Sequence, residues 1–296
     1  MTPETSPFLT VRELAQLLRV KERKVYALAA SGEIPCNRAM GKLLFPRADV
    51  EAWLARHDTG RGPGGDAPQR PMIFVGSHDP LLDWALRESR SGIAAFFDGS
   101  LDGLRRLADG QAMAAGIHLH ESDGEWNRGH VAQALPGAPV VLLEWAWRER
   151  GLIVAAGNAR NLRRLSDLVG LRVMPRQPES GSQMLFDALL ERAGIAAGAL
   201  KVMAPPARSE SDVALAVAED KADAGFGLAG VARQFGLGFA PLLRERYDIV
   251  VFRRAYFLDP FQRFFDFCRT PAFAGKAREL GGYDLAGFGR VHYVGP

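Results

Sequence analysis

The stretch VGSHDPLLDWAL, residues 75–86, joins a short apolar segment to a helical pattern through a Gly-Ser pair. The apolar run Met72–Val75 predicts a strand, and Pro80 is typical of the first turn of a helix. A strand that ends in Gly76-Ser77 and leads into a helix holds one hydroxyl and several free backbone N–H groups together. The stretch therefore predicts an α/β fold in which the turn after the strand faces a ligand or a partner.

The alternation of strand and helix continues through residues 72–296 and predicts largely parallel sheets. In the middle of this region, Val140–Leu143 and Leu152–Ala155 are predicted as two strands that flank a crossover. Phe239–Leu242 and Tyr247–Phe252 are predicted as two further strands.

Serines recur just ahead of the predicted helices. They are Ser77, Ser100, Ser180 or Ser182, and Ser209 or Ser211. A helix N-terminus has unpaired N–H groups and about half a positive charge, so several such ends in one cleft bind an anion without a formal cation. In open α/β sheets that cleft lies beyond the C-terminal ends of the strands. The alternative is that each serine only caps its own helix.

Composition fits a globular chain of 296 residues with 47% hydrophobic residues, a net charge of +3 and a pI near 9.0. Residues 1–5 show no secretory pattern, and no apolar run approaches the roughly 18 residues that span a bilayer. Cys36 and Cys268 have no metal-ligand or disulfide spacing. We expect a cytoplasmic protein that does not bind membranes.

Residues 58–71 are dense in Gly and Pro and predict a linker. It separates a small domain, residues 1–57, from a larger one, residues 72–296. In the small domain, Thr10-Val-Arg-Glu13 is a capping box that begins a helix. A second helix over residues 22–30, a hairpin with a basic tip and a third helix over residues 47–56 complete a winged helix-turn-helix.

The segment LTVRELAQLLRVKERKVYALAASGEIPCNRAMGKLLFPRADVEAWL, residues 9–54, resembles the excisionase-type, MerR-related DNA-binding domain. A recognition helix presents its first residues to base edges in the major groove. Here those residues are Lys21, Arg23, Lys24 and Tyr26. Arg38 and Lys42 on the wing suit phosphates. The expected partner is double-stranded DNA, and a homodimer would double the contacts; the alternative is that these charges are only solvated.

Three motifs carry a second resemblance: GSLDGLRRLADGQAMAAGIHL at residues 99–119, RQPESGS at 176–182 and ADAGFG at 222–227. They resemble the periplasmic-binding-protein-like domain of molybdate-responsive regulators and some molybdopterin-biosynthesis proteins. The resemblance implies a type II fold with a ligand between two lobes. Lobe I would comprise residues 72–146 and 243–296, and lobe II residues 150–240.

The resemblance also implies the ligand contacts. They are Ser77 and Ser100 from lobe I, Arg176, Gly181 and Ser182 from lobe II, and Tyr247. The family usually has Gly-Ser-Gly-Thr-Arg where this chain has Glu179-Ser-Gly-Ser-Gln183, which removes a cation and adds an anion. The ligand is therefore expected to be molybdate, tungstate, a molybdenum-cofactor or pterin-type compound, or a small organic acid.

These features predict a ligand-responsive, DNA-binding transcriptional regulator that is not an enzyme and requires no cofactor. The chain has no nucleophile elbow, Walker loop or dinucleotide fingerprint. His118, His120 and His130 with Glu121 could bind zinc, but we favour His118 lining the cleft and expect no metal site. The alternatives are an enzyme or carrier of molybdenum-cofactor metabolism with an N-terminal docking domain, and an architectural DNA-binding protein whose second domain only dimerises.

Overall fold

The computed structural model describes residues 7–18, 20–39, 41–47, 49–50, 53, 70–121 and 123–296. The chain divides into two compact units, Met1–Gln69 and Arg70–Pro296, and each is described by itself. None of the helices in the described part of the chain is long and apolar enough to span a bilayer.

The smaller unit is a helix-turn-helix with a three-stranded sheet. Its elements are β1 (Phe8–Leu9), α1 (Val11–Leu18), α2 (Glu22–Ala30), β2 (Asn37–Ala39) and β3 (Lys42–Pro46). The capping box at α1 is confirmed, because Thr10 N donates to Glu13 Oε2 (2.8 Å) and Glu13 N donates to Thr10 Oγ1 (3.3 Å). Leu14, Val25 and Phe45 form its buried core with their neighbours.

The hairpin of the smaller unit turns through two residues, because Ala39 is paired with Lys42 and Gly41 has φ +76°. β1 adds a third strand by pairing with β3. A two-residue strand is too short to show a period of two, so the sequence does not predict it. Of the predicted third helix, residues 47, 49, 50 and 53 are helical, and the remainder lies outside the described residues.

The larger unit alternates strands and helices, as predicted. Its helices are α3 (Pro80–Glu88), α4 (Ser100–Ala108), α5 (Arg128–Ala134), α6 (Gly181–Arg192), α7 (Glu210–Ala218), α8 (Ala229–Gln234), α9 (Arg253–Tyr256), α10 (Asp259–Phe267) and α11 (Pro271–Leu280). Its strands are β4 (Ile73–Gly76), β5 (Ala94–Phe97), β6 (Ala114–Ile117), β7 (Val140–Val154), β8 (Arg172–Met174), β9 (Lys201–Val202), β10 (Ala224–Leu228), β11 (Gly238–Phe252), β12 (Tyr283–Asp284) and β13 (Val291–Val294).

One sheet runs through both lobes in the order β5-β4-β6-β11-β7-β10-β8-β9. β4, β5 and β6 are parallel in lobe I, and β8, β9 and β10 are parallel in lobe II. β7 and β11 are antiparallel to each other, and they carry the sheet from one lobe to the other. The fold is therefore the two-lobed α/β arrangement that the sequence predicts.

The prediction of four short strands around the crossover is wrong. Val140–Val154 is one strand of 15 residues, and Gly238–Phe252 is another. Charged residues interrupt the apolar pattern of both strands, so the apolar runs on either side of them resemble separate short strands. Arg148 is paired in register with Glu245, so these charges lie opposite each other and the strands continue through them.

Each lobe has its own core. The lobe I core joins Phe74, Leu82, Trp145 and Phe264 with their neighbours, so the aromatic helix α10 belongs to it. Lobe II has two clusters, one around Leu152 and Phe186 and one around Ile153 and Val213. Because Leu152 and Ile153 are successive residues of β7, the two clusters lie on opposite faces of the sheet.

We predict that Gly116→Ala destabilises the chain. A Cβ at Gly116 would lie 1.9 Å from the hydroxyl oxygen of Tyr247, and overpacking of this kind costs about 1–3 kcal/mol or more. Gly275→Ala is the matched control, because a Cβ there meets nothing within 4 Å and a helical Gly costs about 0.5–1 kcal/mol relative to Ala. Urea unfolding should show Gly116→Ala less stable and Gly275→Ala more stable than wild type. Equal stability of Gly116→Ala and wild type would contradict the packing at Tyr247.

Candidate functional site

Two helix N-termini from opposite lobes face each other across the interlobe cleft. Gly99, the N-cap of α4, has φ +116°, and a Cβ there would lie 3.3 Å from the carbonyl oxygen of Glu179. A Cβ on Gly181, the first residue of α6, would lie 2.7 Å from the carbonyl oxygen of His118. Glycine at both positions allows this close approach. The convergence that the sequence suggests is therefore present in a closed arrangement of the lobes.

The lobe I hydroxyls meet at this point. Ser77 Oγ lies 2.7 Å from Ser100 Oγ, and His118 N donates to Ser100 Oγ (3.2 Å). Neither hydroxyl caps a helix, because Asp79 caps α3 and Gly99 precedes α4. Two hydroxyls that share one hydrogen bond keep one O–H proton free. The pair therefore has a donor to offer to a ligand.

The serines of lobe II divide into two kinds. Ser180 accepts a hydrogen bond from Gln183 N (3.1 Å), and Ser209 accepts one from Asp212 N (3.0 Å), so these two cap their own helices. Ser182 does not cap. Its hydroxyl donates to Glu210 Oε1 (2.6 Å) and accepts from Arg150 (2.9 Å). Arg176, also predicted as a ligand contact, donates to the same Glu210 oxygen (3.1 Å).

A buried chain of ion pairs connects the two lobes behind these groups. Arg148 contacts Asp79 (2.9 Å) and Glu245, and Arg150 contacts Glu245 (2.8 Å) and Glu210 (3.1 Å). Arg176 ends the chain on Glu210. Three guanidinium groups thus balance three carboxylates, with every side chain at most 6% exposed. The site therefore has little net charge of its own.

The pKa shifts follow from this arrangement. Burial by itself would raise the pKa of Glu210, but Arg150 and Arg176 lower it to about 2. The pKa of Glu245 is likewise well below its usual value, because Arg148 and Arg150 outweigh burial. Burial lowers the pKa of His118 despite its contact with Glu245 (Nδ1 to Oε2, 3.0 Å), so this imidazole is neutral at pH 7.

Sequence reasoning singled out Arg176 but missed the other charged residues of these buried ion pairs. Arg-Glu-Arg occurs in both crossing strands, at residues 148–150 and 244–246. Such a tripeptide between apolar runs is the signal that could have indicated paired buried strands.

Tyr247 lies behind the serines. Its hydroxyl donates to the carbonyl oxygen of Ser77 (2.6 Å), its ring stacks on His118 (5.8 Å between centroids), and the Arg148 guanidinium lies 4.3 Å from the ring centroid. Burial raises the pKa of its hydroxyl well above the usual value. In this arrangement Tyr247 positions the Ser77 turn.

Several buried polar atoms around the cleft have no hydrogen-bond partner within the described part of the chain. They include His78 Nδ1, Arg148 Nε, Gln177 Nε2 and Glu210 Oε2. Buried polar atoms are normally satisfied by protein, water or ligand, so these atoms could accept such a partner.

The histidines considered for zinc have other partners. His118 is bound to Glu245, His120 packs edge-on against Trp126, and His130 lies 3.5 Å from Glu121. No group of three or more His, Cys, Asp or Glu side chains that could hold a metal ion occurs among the residues described.

In the smaller unit, the predicted DNA contacts lie on the exposed side of α2. Arg23, Lys24 and Tyr26 are exposed, whereas Val25 is buried. Lys21 is the N-cap of α2, and Lys42 is exposed at the start of β3. Arg38 lies in β2, and its side chain is outside the described residues.

Known proteins share both units. A helix-turn-helix domain of the excisionase-like kind matches residues 8–58. The uncharacterized protein YvgK of Bacillus subtilis is 26% identical over 268 residues, which cover 85% of this chain and 87% of its own length.

Solved structures show the same fold at low identity. A putative phosphate ABC transporter substrate-binding protein from Clostridium perfringens, with bound phosphate, has a TM-score of 0.51 at 13% identity, over 70% of this chain and 96% of its own. The sulfate-binding protein SubI from Mycobacterium tuberculosis has a TM-score of 0.50 at 16% identity, over 71% of this chain and 85% of its own. A cysteine-to-serine mutant of Corynebacterium glutamicum OxyR, with bound hydrogen peroxide, has a TM-score of 0.50 at 14% identity, over 92% of this chain and 89% of its own.

A family model also matches the two-lobed unit. The PBP superfamily domain matches residues 84–269, which is more than half of the chain and includes both crossing strands. With its N-terminal helix-turn-helix, this chain therefore belongs to the PBP superfamily.

Proposed function

We propose that this protein is a ligand-responsive transcriptional regulator that binds DNA through α2 and the β2–β3 hairpin and a small anion in the interlobe cleft. The observation that carries the proposal is the convergence of the α4 and α6 N-termini with the Ser77–Ser100 pair, in a chain that also has a helix-turn-helix. The OxyR likeness, which spans 92% of this chain, supports the same combination of units.

Molybdate and tungstate are the first candidate ligands, and a small organic acid or a molybdenum-cofactor compound is the next. The charges at the site are balanced, so an anion would be held by hydroxyls and helix N–H groups rather than by a free cation. The similar fold of a phosphate-transporter binding protein with bound phosphate and of a sulfate-binding protein supports an oxyanion. The Glu179 carboxylate and the missing Arg at Gln183 support the organic alternatives.

We further propose that the protein works in the cytoplasm as a homodimer. A ligand that binds the closed lobes better than the open ones shifts the population toward the closed form. If closure changes how the two DNA-binding domains of a dimer are presented, the ligand changes affinity for the operator by the same coupling free energy.

Catalysis is the less supported alternative. A serine nucleophile needs an adjacent base, but Ser100 accepts from the backbone N–H of His118, whose imidazole is bound to Glu245. Turnover of a molybdenum-cofactor compound by the purified protein would favour this alternative.

We predict that Ser100→Ala lowers the affinity for the ligand about tenfold or more, since it removes a hydroxyl from the donor pair. Ser182→Ala should have a smaller effect, because the Ser182 proton is already donated to Glu210. Calorimetry with molybdate, tungstate and sulfate measures both, after a thermal-shift screen has identified the anion that binds. Ser209→Ala is the matched control, since Ser209 only caps α7. Unchanged affinity in Ser100→Ala would reject the site.

We predict that Arg23→Ala with Lys24→Ala abolishes specific operator binding without unfolding the protein, because both side chains are exposed on α2. Gel shifts measure operator binding, and circular dichroism checks the fold. Arg12→Ala is a matched control, because Arg12 is an exposed cation on α1. If the double variant shifts the operator like wild type, Arg23 and Lys24 do not contribute to DNA binding.

A further inference from the structure

A second cavity lies beside the cleft, along the middle and C-terminal part of α6. Its volume is about 610 Å³, within the range of small-molecule sites. Lobe I contributes residues of the segment 120–126, lobe II contributes α6, and the crossing strands contribute the floor. It is lined by His120, Gly124, Trp126, Trp147, Leu185, Ala188, Leu189, Glu191, Arg192, Leu243 and Arg244.

Aromatic rings and leucines dominate the walls. His120 and Trp126 pack edge-to-face with centroids 5.1 Å apart, and a β-bridge between their backbones holds the two residues side by side. Trp147 is partly exposed, and the Arg244 guanidinium lies 5.7 Å from its ring centroid. Flat aromatic surface of this kind favours a flat aromatic ligand, because offset stacking and edge-to-face contacts add to the apolar area buried.

The charged side chains of the cavity favour an anion. Arg244 is paired with Asp284 (2.6 Å). Arg192, in the last turn of α6, has no carboxylate within 4.0 Å among the residues that the structure describes. Glu191 is the single acidic residue in the lining. Arg192 is therefore available to bind a carboxylate in the bidentate manner that suits a guanidinium.

We propose that this cavity binds a planar aromatic carboxylate, with the ring against Trp147 and the carboxylate on Arg192. The site is separate from the cleft, although both lie on the same helix: Gly181 and Ser182 in the first turn of α6 face the cleft, and Arg192 in its last turn faces this cavity. The proposal does not depend on the regulator function or on the identity of the cleft anion.

The test uses the full chain and 2-naphthoate as the probe, measured by calorimetry and by quenching of tryptophan fluorescence. Two ligand controls separate the two contributions: 2-naphthamide keeps the rings without the charge, and cyclohexanecarboxylate keeps the charge without the aromatic ring. We expect 2-naphthoate to bind at least about tenfold more tightly than either control, given the strength of a charge-assisted pair and of ring stacking.

Protein variants locate the site. Arg192→Gln and Trp147→Leu should each lower the affinity for 2-naphthoate about tenfold or more. Arg233→Gln is the matched control: like Arg192, Arg233 has no carboxylate within 4.0 Å among the described residues, but it lines a different cavity. Ser100→Ala controls for binding in the cleft. Arg192 is exposed, so Arg192→Gln tests the site even if Trp147→Leu unfolds.

The outcomes separate this proposal from the regulator function. Loss of 2-naphthoate binding in Arg192→Gln, with wild-type affinity in Arg233→Gln and Ser100→Ala, supports binding of the aromatic carboxylate in this cavity. No binding of 2-naphthoate by wild type at millimolar concentration overturns the proposal, as does equal weakening by Arg192→Gln and Arg233→Gln. Failure of molybdate, tungstate and sulfate to bind would contradict the proposed oxyanion site in the cleft. It would not bear on the proposed aromatic carboxylate site in the cavity.

Discussion

The buried pairing of Arg148 with Glu245 is the interaction on which the larger unit depends. These residues face each other on the two strands that cross between the lobes, and both are almost fully buried. Burying a charge is expensive unless it is paired and hydrogen-bonded, so the loss of either residue would leave the other with an incomplete set of buried partners. The pair thus fixes the register of β7 against β11. Because both strands belong to both lobes, it also fixes the part of each lobe that borders the cleft.

This pairing determines how the site would recognise the proposed anion. The buried ion pairs extend from Asp79 in lobe I to Arg176 in lobe II, and each guanidinium group in them is paired with a carboxylate. What remains for a ligand are neutral donors: the spare proton of the Ser77–Ser100 pair and the N–H groups at the starts of α4 and α6. Such dipoles are held in place by the fold, so they would need little rearrangement to bind the proposed anion.

The sequence predicted the local features of this protein better than its long-range pairs. The Thr10–Glu13 capping box and the Gly41 hairpin depend on neighbours within a few residues, and both could be found by spacing alone. Ser180 and Ser182 illustrate the limit, since both precede or begin the same helix, yet one caps it and the other contacts Glu210. That choice depends on Glu210, which is 28 residues further along the chain. Likewise, the pairing of Arg148 with Glu245 joins residues that are 97 positions apart in the sequence, so local spacing could not predict it.

The ion pairs that join the lobes at the surface differ from the buried ones along the crossing strands. The lobes have separate cores, and beyond the crossing strands the side-chain ion pairs between them include Arg208–Asp98 and Arg105–Glu179 (3.6 Å). Arg208, Arg105 and Glu179 are all more than half exposed, so solvent and salt screen these pairs and they stabilise closure little. A ligand at about a hundred times its Kd stabilises the state that it binds by about 2.7 kcal/mol. This exceeds what screened surface pairs typically contribute, so a ligand bound in the cleft would stabilise the closed lobes more than these exposed pairs do.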